Sequence, residues 1–463
     1  MTLLKQRSVS LSPQRRSLIS SRLARPVLMR KRSGDLRTYR PLSFTVVLIL
    51  FMLLNMQVTP VRPVHRVNSI RAVHIHQKVG RTPDPVPSPL AERVQLPAVD
   101  PQAPLGRINR GVVLFNDVIQ TAAGPEHVSM VDIDLSDPAI RLGLVLAHDR
   151  LVSADEPLSS MANRSGALVG INGDYFEEHG PGRPIGTVVL NGRILQTPTN
   201  DSFYAVLGIT ASGKFSIGPE FFSGSVIDGQ ASYPLHEVNI YSDIHKGLIL
   251  ITPDLGADIS VAGDTVAMLR PVANDPEMFT VQSVQAGATW LPTLTDQDAI
   301  IGRGGDGDWL AAHLHAGDNV RVTKHLSPQA NLFQAIGGGP VVVRNGAAYY
   351  DEHPPVPSEV YMRNPLTAIG VYKDGTHVIL AVFDGRRAGP WRSVGMTYSQ
   401  AGDYMLAHGA YNGMLFDSGG SSELVARLPG QHAVSIISTP SEGSERPVAN
   451  GLFVYDSEAV SVT

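Results

Sequence analysis

From Ile108 onward the chain runs in short, β-branched apolar stretches broken by Gly, Asn and Asp. This is the pattern of strands joined by tight turns. It predicts strands at Val112–Ile119, Val128–Leu135, Ile140–Leu146, Leu168–Asn172, Thr187–Leu190, Ala205–Thr210, Val341–Arg344, Ala368–Tyr372, Val378–Phe383, Gly413–Phe416 and Leu452–Tyr455. Three corners share one format, Asn191-Gly192, Asn345-Gly346 and Asp374-Gly375. Each pair tolerates positive φ at both positions, which suits a two-residue hairpin. One helix is predicted at Thr397–His408, with Tyr398, Ala401, Tyr404 and Met405 on one face and Gly409 as its stop. Together these elements predict an α+β fold, mostly antiparallel with few helices, in one large domain over 108–463. Residues from about 225 to 330 read as a β-rich insertion or subdomain of strand-like pieces with few motifs.

The front of the chain follows a different pattern. Pro41 to Val61 carries no charge, and Phe44 to Leu54 is almost wholly apolar. A spanning helix needs about 20 apolar residues and a signal-peptide core about 7–15. The basic stretch ahead of it, residues 1–40, is long for a cleaved signal, and Asn55 to Pro60 offers no small-x-small cleavage site. An uncleaved signal anchor at 41–61 is therefore expected, with a cleaved signal as the alternative. Residues 1–40 would then lie in the cytoplasm and the main domain outside, on a single-pass membrane protein. Nine prolines between 59 and 105 predict an extended linker over 62–107. His74 and His76 within it are expected to be solvated.

Charge sharpens this division. The net charge is −4, but residues 1–40 hold eleven Lys/Arg against Asp35, a local +10, which leaves −14 on the rest. A negative main domain argues against a nucleic-acid partner. The chain has no cysteine, so thiol nucleophiles, disulfides and thiolate metal sites are excluded.

Gly208 to Lys214 has the spacing of a phosphate loop, but Phe215 stands where Ser or Thr would hold magnesium. It is not read as a nucleotide site. Asp306, Asp308, His313 and His315 match neither a zinc helix pair nor a calcium loop, and a polar loop is expected there. Four other segments each end a strand in a polar residue beside glycine. They are Gly170 to Phe176 with Gly182 to Gly186, Ile336 to Val343, Arg363 to Gly370 with Phe383 to Arg387, and Phe416 to Ser422. Four such corners in one domain suggest the walls of one polar cleft.

The order Asn-Gly-x-Tyr-Phe, Gly-Arg-Pro-Ile-Gly, Gly-Gly-Gly-Pro, Thr-Ala-Ile-Gly, Asp-Gly-Arg, Gly-Met-Thr and Asp-x-Gly-Gly-Ser-Ser resembles the phosphodiester glycosidase family. The likeness runs from about Ile108 to Tyr455. It implies a mixed α+β fold and hydrolysis of the bond between a sugar anomeric carbon and a phosphodiester. It also implies a carbohydrate or phosphoglycan substrate, expected here in envelope or exopolysaccharide material. Such cleavage needs a carboxylate near the anomeric carbon and a cation near phosphate. Within the matching motifs, Asp174, Asp417 and Asp384 are the catalytic carboxylates expected. Asn172, Arg183, Gly338, Gly339, Arg363, Arg386, Ser421 and Ser422 are the expected substrate-binding residues. No organic cofactor is called for, and a divalent metal stays open. Leu366, Leu415 and Ser418 depart from the family's usual residues. They leave a second reading, a catalytically degenerate glycan- or phosphoglycan-binding surface protein on the same fold.

Overall fold

The computed structural model describes residues 106–458 except 179–180, 200–202, 230, 242–246, 350–361 and 390–391. The expected tail, the signal anchor and all but the end of the expected linker lie outside the described residues. Gly106 and Arg107, expected in the linker, instead start a strand, Gly106–Asn109, paired with Val112–Leu114. Among the described residues no helix is long and apolar enough to cross a membrane.

Three antiparallel sheets and a barrel make up the domain, a β-rich α+β fold. The first sheet has eight strands. In spatial order they are Gly106–Asn109, Val112–Thr121, Gly124–Asp134, His377–Phe383, Leu366–Val371, Asn412–Leu415, Val341–Arg344 and Ala347–Ala348. The second is Ser435–Ile436, Leu424–Ala426, Val169–Asn172, Asn450–Asp456 and Ile140–Leu146. The third is Arg193–Gln196, Val188–Leu190, Leu332–Gly338, Ala205–Thr210 and Phe215–Gly218. Residues between Phe221 and Ser327 close a seven-stranded barrel, in which Ala231–Val238 and Leu248–Ile251 run parallel. Closure removes the exposed strand edges that an open sheet of this length would leave.

Alternation and turn chemistry set most of this. Asn191 and Gly192 both take positive φ (52° and 77°), as do Asn345 and Gly346 (53° and 73°), and each corner joins adjacent strands directly. The Asp374-Gly375 corner differs from expectation. Only Gly375 is left-handed (φ 72°), while Asp374 accepts a hydrogen bond from the Thr376 N–H at 2.9 Å. Aspartate's local bond goes with a φ that is not positive and leaves the positive φ to glycine alone.

Three helices are present among the described residues, α1 (Leu158–Ser165), α2 (Gly305–His313) and α3 (Tyr398–Ala407). The expected α3 opens with a capping box between Thr397 and Gln400. Helix α2 corrects the polar loop expected at 302–308. Its Leu310 enters the barrel's apolar core, and Asp306 accepts from the Tyr233 hydroxyl at 2.7 Å and the Gly247 N–H at 2.9 Å. His313 stacks on Trp309. Glycine and aspartate hid the helix because they are weak formers; burial of Leu310 overrides propensity. The segment around Gly208–Lys214 is a hairpin, turning at Gly213 (φ 76°).

Candidate active site

The four corners meet where ends of interior strands from the three sheets converge. The Asp417 N–H bonds the Gly173 carbonyl at 2.9 Å, Gly339 N–H bonds Leu415 carbonyl at 2.8 Å, and Phe416 N–H bonds Thr367 carbonyl at 2.8 Å. Asn172 knots them from the side-chain side. Its Nδ2 donates to the Asp417 carbonyl at 2.9 Å, while its Oδ1 accepts from Thr367 Oγ1 at 2.6 Å and from the Glu423 N–H at 3.1 Å. Glycine makes the convergence possible. A Cβ at Gly337 would stand 2.5 Å from Asp174 Oδ2, and one at Gly338 would stand 2.8 Å from the Leu415 carbonyl. Gly338 and Gly339 thus serve backbone-to-backbone contact.

Asp174 and Asp417 are brought together. Asp174 is 2% exposed and wedged between Gly186 and Gly337. Its Oδ2 accepts from the Gly186 N–H at 2.6 Å, and its Oδ1 has no partner. Burial pushes its carboxyl from the ordinary 3.8 up to about 8; the charge of Asp417 adds to this and the Gly186 N–H opposes it. Asp417 is half-buried and ends its strand facing the Ser418–Ser422 turn, where its Oδ1 accepts from the Ser418 N–H at 2.8 Å. Burial raises it too, to about 6, against the pull of the Ser421 hydroxyl, the Ser418 N–H and the Arg446 charge. The Ser422 hydroxyl lies buried at the same corner with no hydrogen bond completed.

The remaining expected residues divide. Arg386 joins the corner: a Cβ at Gly419 would stand 3.2 Å from its Nη1, and its Nη2 donates to Asn364 Oδ1 at 2.7 Å. Asp384 accepts from the Thr439 N–H at 2.9 Å, a clasp on the 437–446 loop. Burial raises its carboxyl above the ordinary range. Arg363 donates to the Gly395 carbonyl at 2.9 Å and stands near Glu126, which is fully buried and raised by burial to about 8. Arg183 is turned elsewhere. It donates to Glu177 Oε1 at 2.5 Å and to the Asn239 carbonyl at 3.3 Å, a link to the barrel.

Leu366 and Leu415 are 0% and 1% exposed and pack with Phe383, Tyr398 and Met405 in one apolar cluster. Each contributes about 1.5–3 kcal/mol by burial. They are core residues here, and the polar corner lies beside them.

Sequence motifs did not point to Arg446, Glu442 or Glu178. Arg446 Nη1 donates to Glu178 Oε1 at 2.8 Å, and its Nε and Nη2 pair with the two oxygens of Glu442. The ion pair stands directly over Gly420, where a Cβ would collide with both partners. Tyr175 completes the wall. Its hydroxyl donates to the Gly339 carbonyl at 3.2 Å and its ring packs edge-on against Tyr204. A cavity of about 340 Å³, lined in part by Thr187, Phe203, Tyr204, Glu220 and Tyr349, shares Gly186 with the seat of Asp174. No group of three or more metal-ligating side chains is found among the described residues.

Residues 279–455 match the family model described as phosphodiester glycosidase. No curated protein matches the sequence. A hypothetical protein from Synechocystis shares the fold at 21% identity and TM-score 0.62, over 75% of this chain and 62% of that one. This chain thus spans less than two thirds of that protein's length. A Burkholderia pseudomallei protein does so at 21% identity and TM-score 0.57, over 72% and 74%. The zebrafish N-acetylglucosamine-1-phosphodiester alpha-N-acetylglucosaminidase catalytic domain, auto-inhibited by its pro-peptide, gives 14% identity and TM-score 0.40, over 74% and 82%. At that score the likeness places no residue. The resemblance to phosphodiester glycosidases is shown over residues 279–455, the stretch that carries three of the four corners of this site.

Proposed function

We propose that the protein hydrolyses glycosyl-1-phosphodiesters, breaking the bond between the anomeric carbon and the phosphate oxygen. One observation carries the reading: Asp174 and Asp417, two carboxyls that burial raises, Asp174 the further, share one corner with the Arg386 guanidinium. Pairs pushed apart in this way mark base and acid. At pH 7 Asp417 is ionised and takes a proton from the attacking water. The water oxygen joins the anomeric carbon, and the C–O electron pair leaves with the phosphomonoester. A phosphate leaving group needs cationic neutralisation more than protonation, which Arg386 supplies. Asp174 keeps its proton, so the pair carries one negative charge and retains a hydrogen-bond donor. The neighbouring 340 Å³ cavity, with aromatic walls and the unpartnered hydroxyls of Thr187 and Thr199, suits a sugar ring.

The same proposal sets the domain outside the cytoplasmic membrane on an N-terminal anchor, acting on envelope or exopolysaccharide material. The +10 charge of residues 1–40 and the uncharged run 41–61 support that topology. A second reading, a phosphoglycan-binding protein without turnover, is favoured by the near-complete burial of Asp174. Purified protein incubated with a sugar-1-phosphodiester and, separately, with an O-linked disaccharide decides between them. Release of reducing sugar from the diester alone is expected. Binding without turnover, across several sugars and with added divalent metal, would establish the second reading.

A further inference from the structure

We propose that Arg446 and Arg386 form a site for a singly charged phosphodiester, and that Glu442 occupies it as an internal stand-in until substrate displaces it. The inference rests on the hydrolase reading for the identity of the anion.

Glu442 engages the Arg446 guanidinium through both oxygens, on Nε and Nη2, the two-pronged geometry that a phosphodiester also offers. An ordinary surface ion pair spaced i, i+4 would need nothing beneath it. This one lies flat on the Asp417–Ser422 turn, at a position only glycine allows, and its guanidinium lowers the Asp417 carboxyl. Arg386 faces the same turn at Gly419. It holds a left-handed backbone (φ 56°) that costs a non-glycine residue energy, and its charge reaches Glu442. Glu442 itself is exposed, next to Gly443 (φ 88°) in the loop that Asp384 clasps at Thr439 and that Ser159 anchors through Glu445. Its side chain can leave while the loop stays fixed at both ends.

Charge gives the selectivity. Asp417, Glu178 and Glu442 face Arg386 and Arg446, a local total of −1. Exchanging Glu442 for a phosphodiester monoanion preserves that total. The phosphomonoester dianion left after hydrolysis adds a further negative charge beside Asp417 and Glu178, which favours its release.

The test is a calorimetric titration of the full chain with dimethyl phosphate and with methyl phosphate at pH 8, where the latter is a dianion. Dimethyl phosphate is expected to bind more tightly. E442Q should tighten it about threefold to tenfold, the gain from removing a solvent-screened competitor. R446Q should weaken it about tenfold or more in either background, through loss of charged hydrogen bonds. Unchanged or weaker binding in E442Q, wild-type binding in R446Q, or tighter binding of methyl phosphate would each overturn the proposal. Glu442 is exposed, so E442Q keeps the proposal open to refutation even where R446Q fails to fold. Tightening in E442Q with no turnover by wild type would leave the anion site standing and remove the hydrolase reading. Turnover by wild type, with dimethyl phosphate affinity and KM both unmoved in E442Q, would do the reverse.

Discussion

The barrel and the corner where the sheets meet are both buried and both built from strands, yet they treat polar atoms in opposite ways. Inside the barrel, Val226, Leu250, Leu269, Val281, Ile300 and Val322 form an apolar filling, and the buried Asp264 is answered by Arg303 at 2.8 Å. Among the described residues, no buried side-chain polar atom between 221 and 327 lacks a hydrogen-bond partner. The corner leaves Asp174 Oδ1, Asn450 Nδ2, Glu423 Oε1 and the Ser422 hydroxyl without one. Each such group costs about 1–3 kcal/mol in a dry interior. Such atoms also occur elsewhere, at Asp132, Asp155, His408 and Arg427, but among the described residues the barrel has none and the corner gathers four. That place holds the two carboxyls with separated affinities for protons. The barrel therefore reads as structure and the corner as chemistry.

Removing the half-buried carboxylate should break the contrast most sharply. D417N is expected to lower kcat by about 10²-fold or more, as loss of an acid–base group does. Its thermal midpoint should hold, because the change removes a charge that burial disfavours.

The pH response comes next in size. The rate should rise as Asp417 ionises through about pH 6 and fall as Asp174 ionises through about pH 8, with about a tenfold change per unit beyond either limb. Stability follows from the same shifts. Asp174 is raised from 3.8 to about 8 in the folded state, so its contribution is full below pH 3.8 and lost as pH climbs to about 8. Glu126, raised to about 8, and Glu423, raised to about 9, act in the same direction. Tm should therefore fall between pH 5 and pH 9, and less steeply in D174N. A flat Tm across that range would mean these carboxyls are solvated.

Two packing changes should separate the regions at smaller amplitude. G337A places a methyl 2.5 Å from Asp174 Oδ2 and should cost about 1–3 kcal/mol through overpacking, with activity lost as Asp174 is displaced. I300V in the barrel core should cost about 0.5–1.5 kcal/mol and leave turnover unchanged. Equal effects on activity from the two would mean that barrel and corner do not differ in role.

Much of the corner is legible in the residues themselves. Ile140–Leu146, Ala205–Thr210 and Val341–Arg344 are strands at the bounds that alternation gives. Asn191-Gly192 and Asn345-Gly346 turn as their chemistry requires. Asn172, Asp174 and Asp417 stand out because strand ends delivering a polar residue beside glycine are rare enough to be noticed in series. Arg446 and Glu442 do not stand out. Ser441-Glu442-Gly443-Ser444-Glu445-Arg446 has no period, and its role arises only when the loop folds back across Gly419 and Gly420. Helix α1 escaped for a related reason. Its serines favour turns, and it is held by Glu445, nearly three hundred residues away, bonding the Ser159 N–H at 2.8 Å. Arg183 shows the converse: a motif residue whose partners, Glu177 and Asn239, turn it toward the barrel.

In the proposed reaction water attacks the sugar carbon and leaves the phosphorus untouched. Hydrolysis of a sugar-1-phosphodiester in water enriched in oxygen-18, with mass spectrometry of the released phosphomonoester, reads the site of attack. A phosphomonoester with no label is expected. Label in the phosphate would show attack at phosphorus and would contradict the assignment of Asp417 and Asp174 to chemistry at the anomeric carbon.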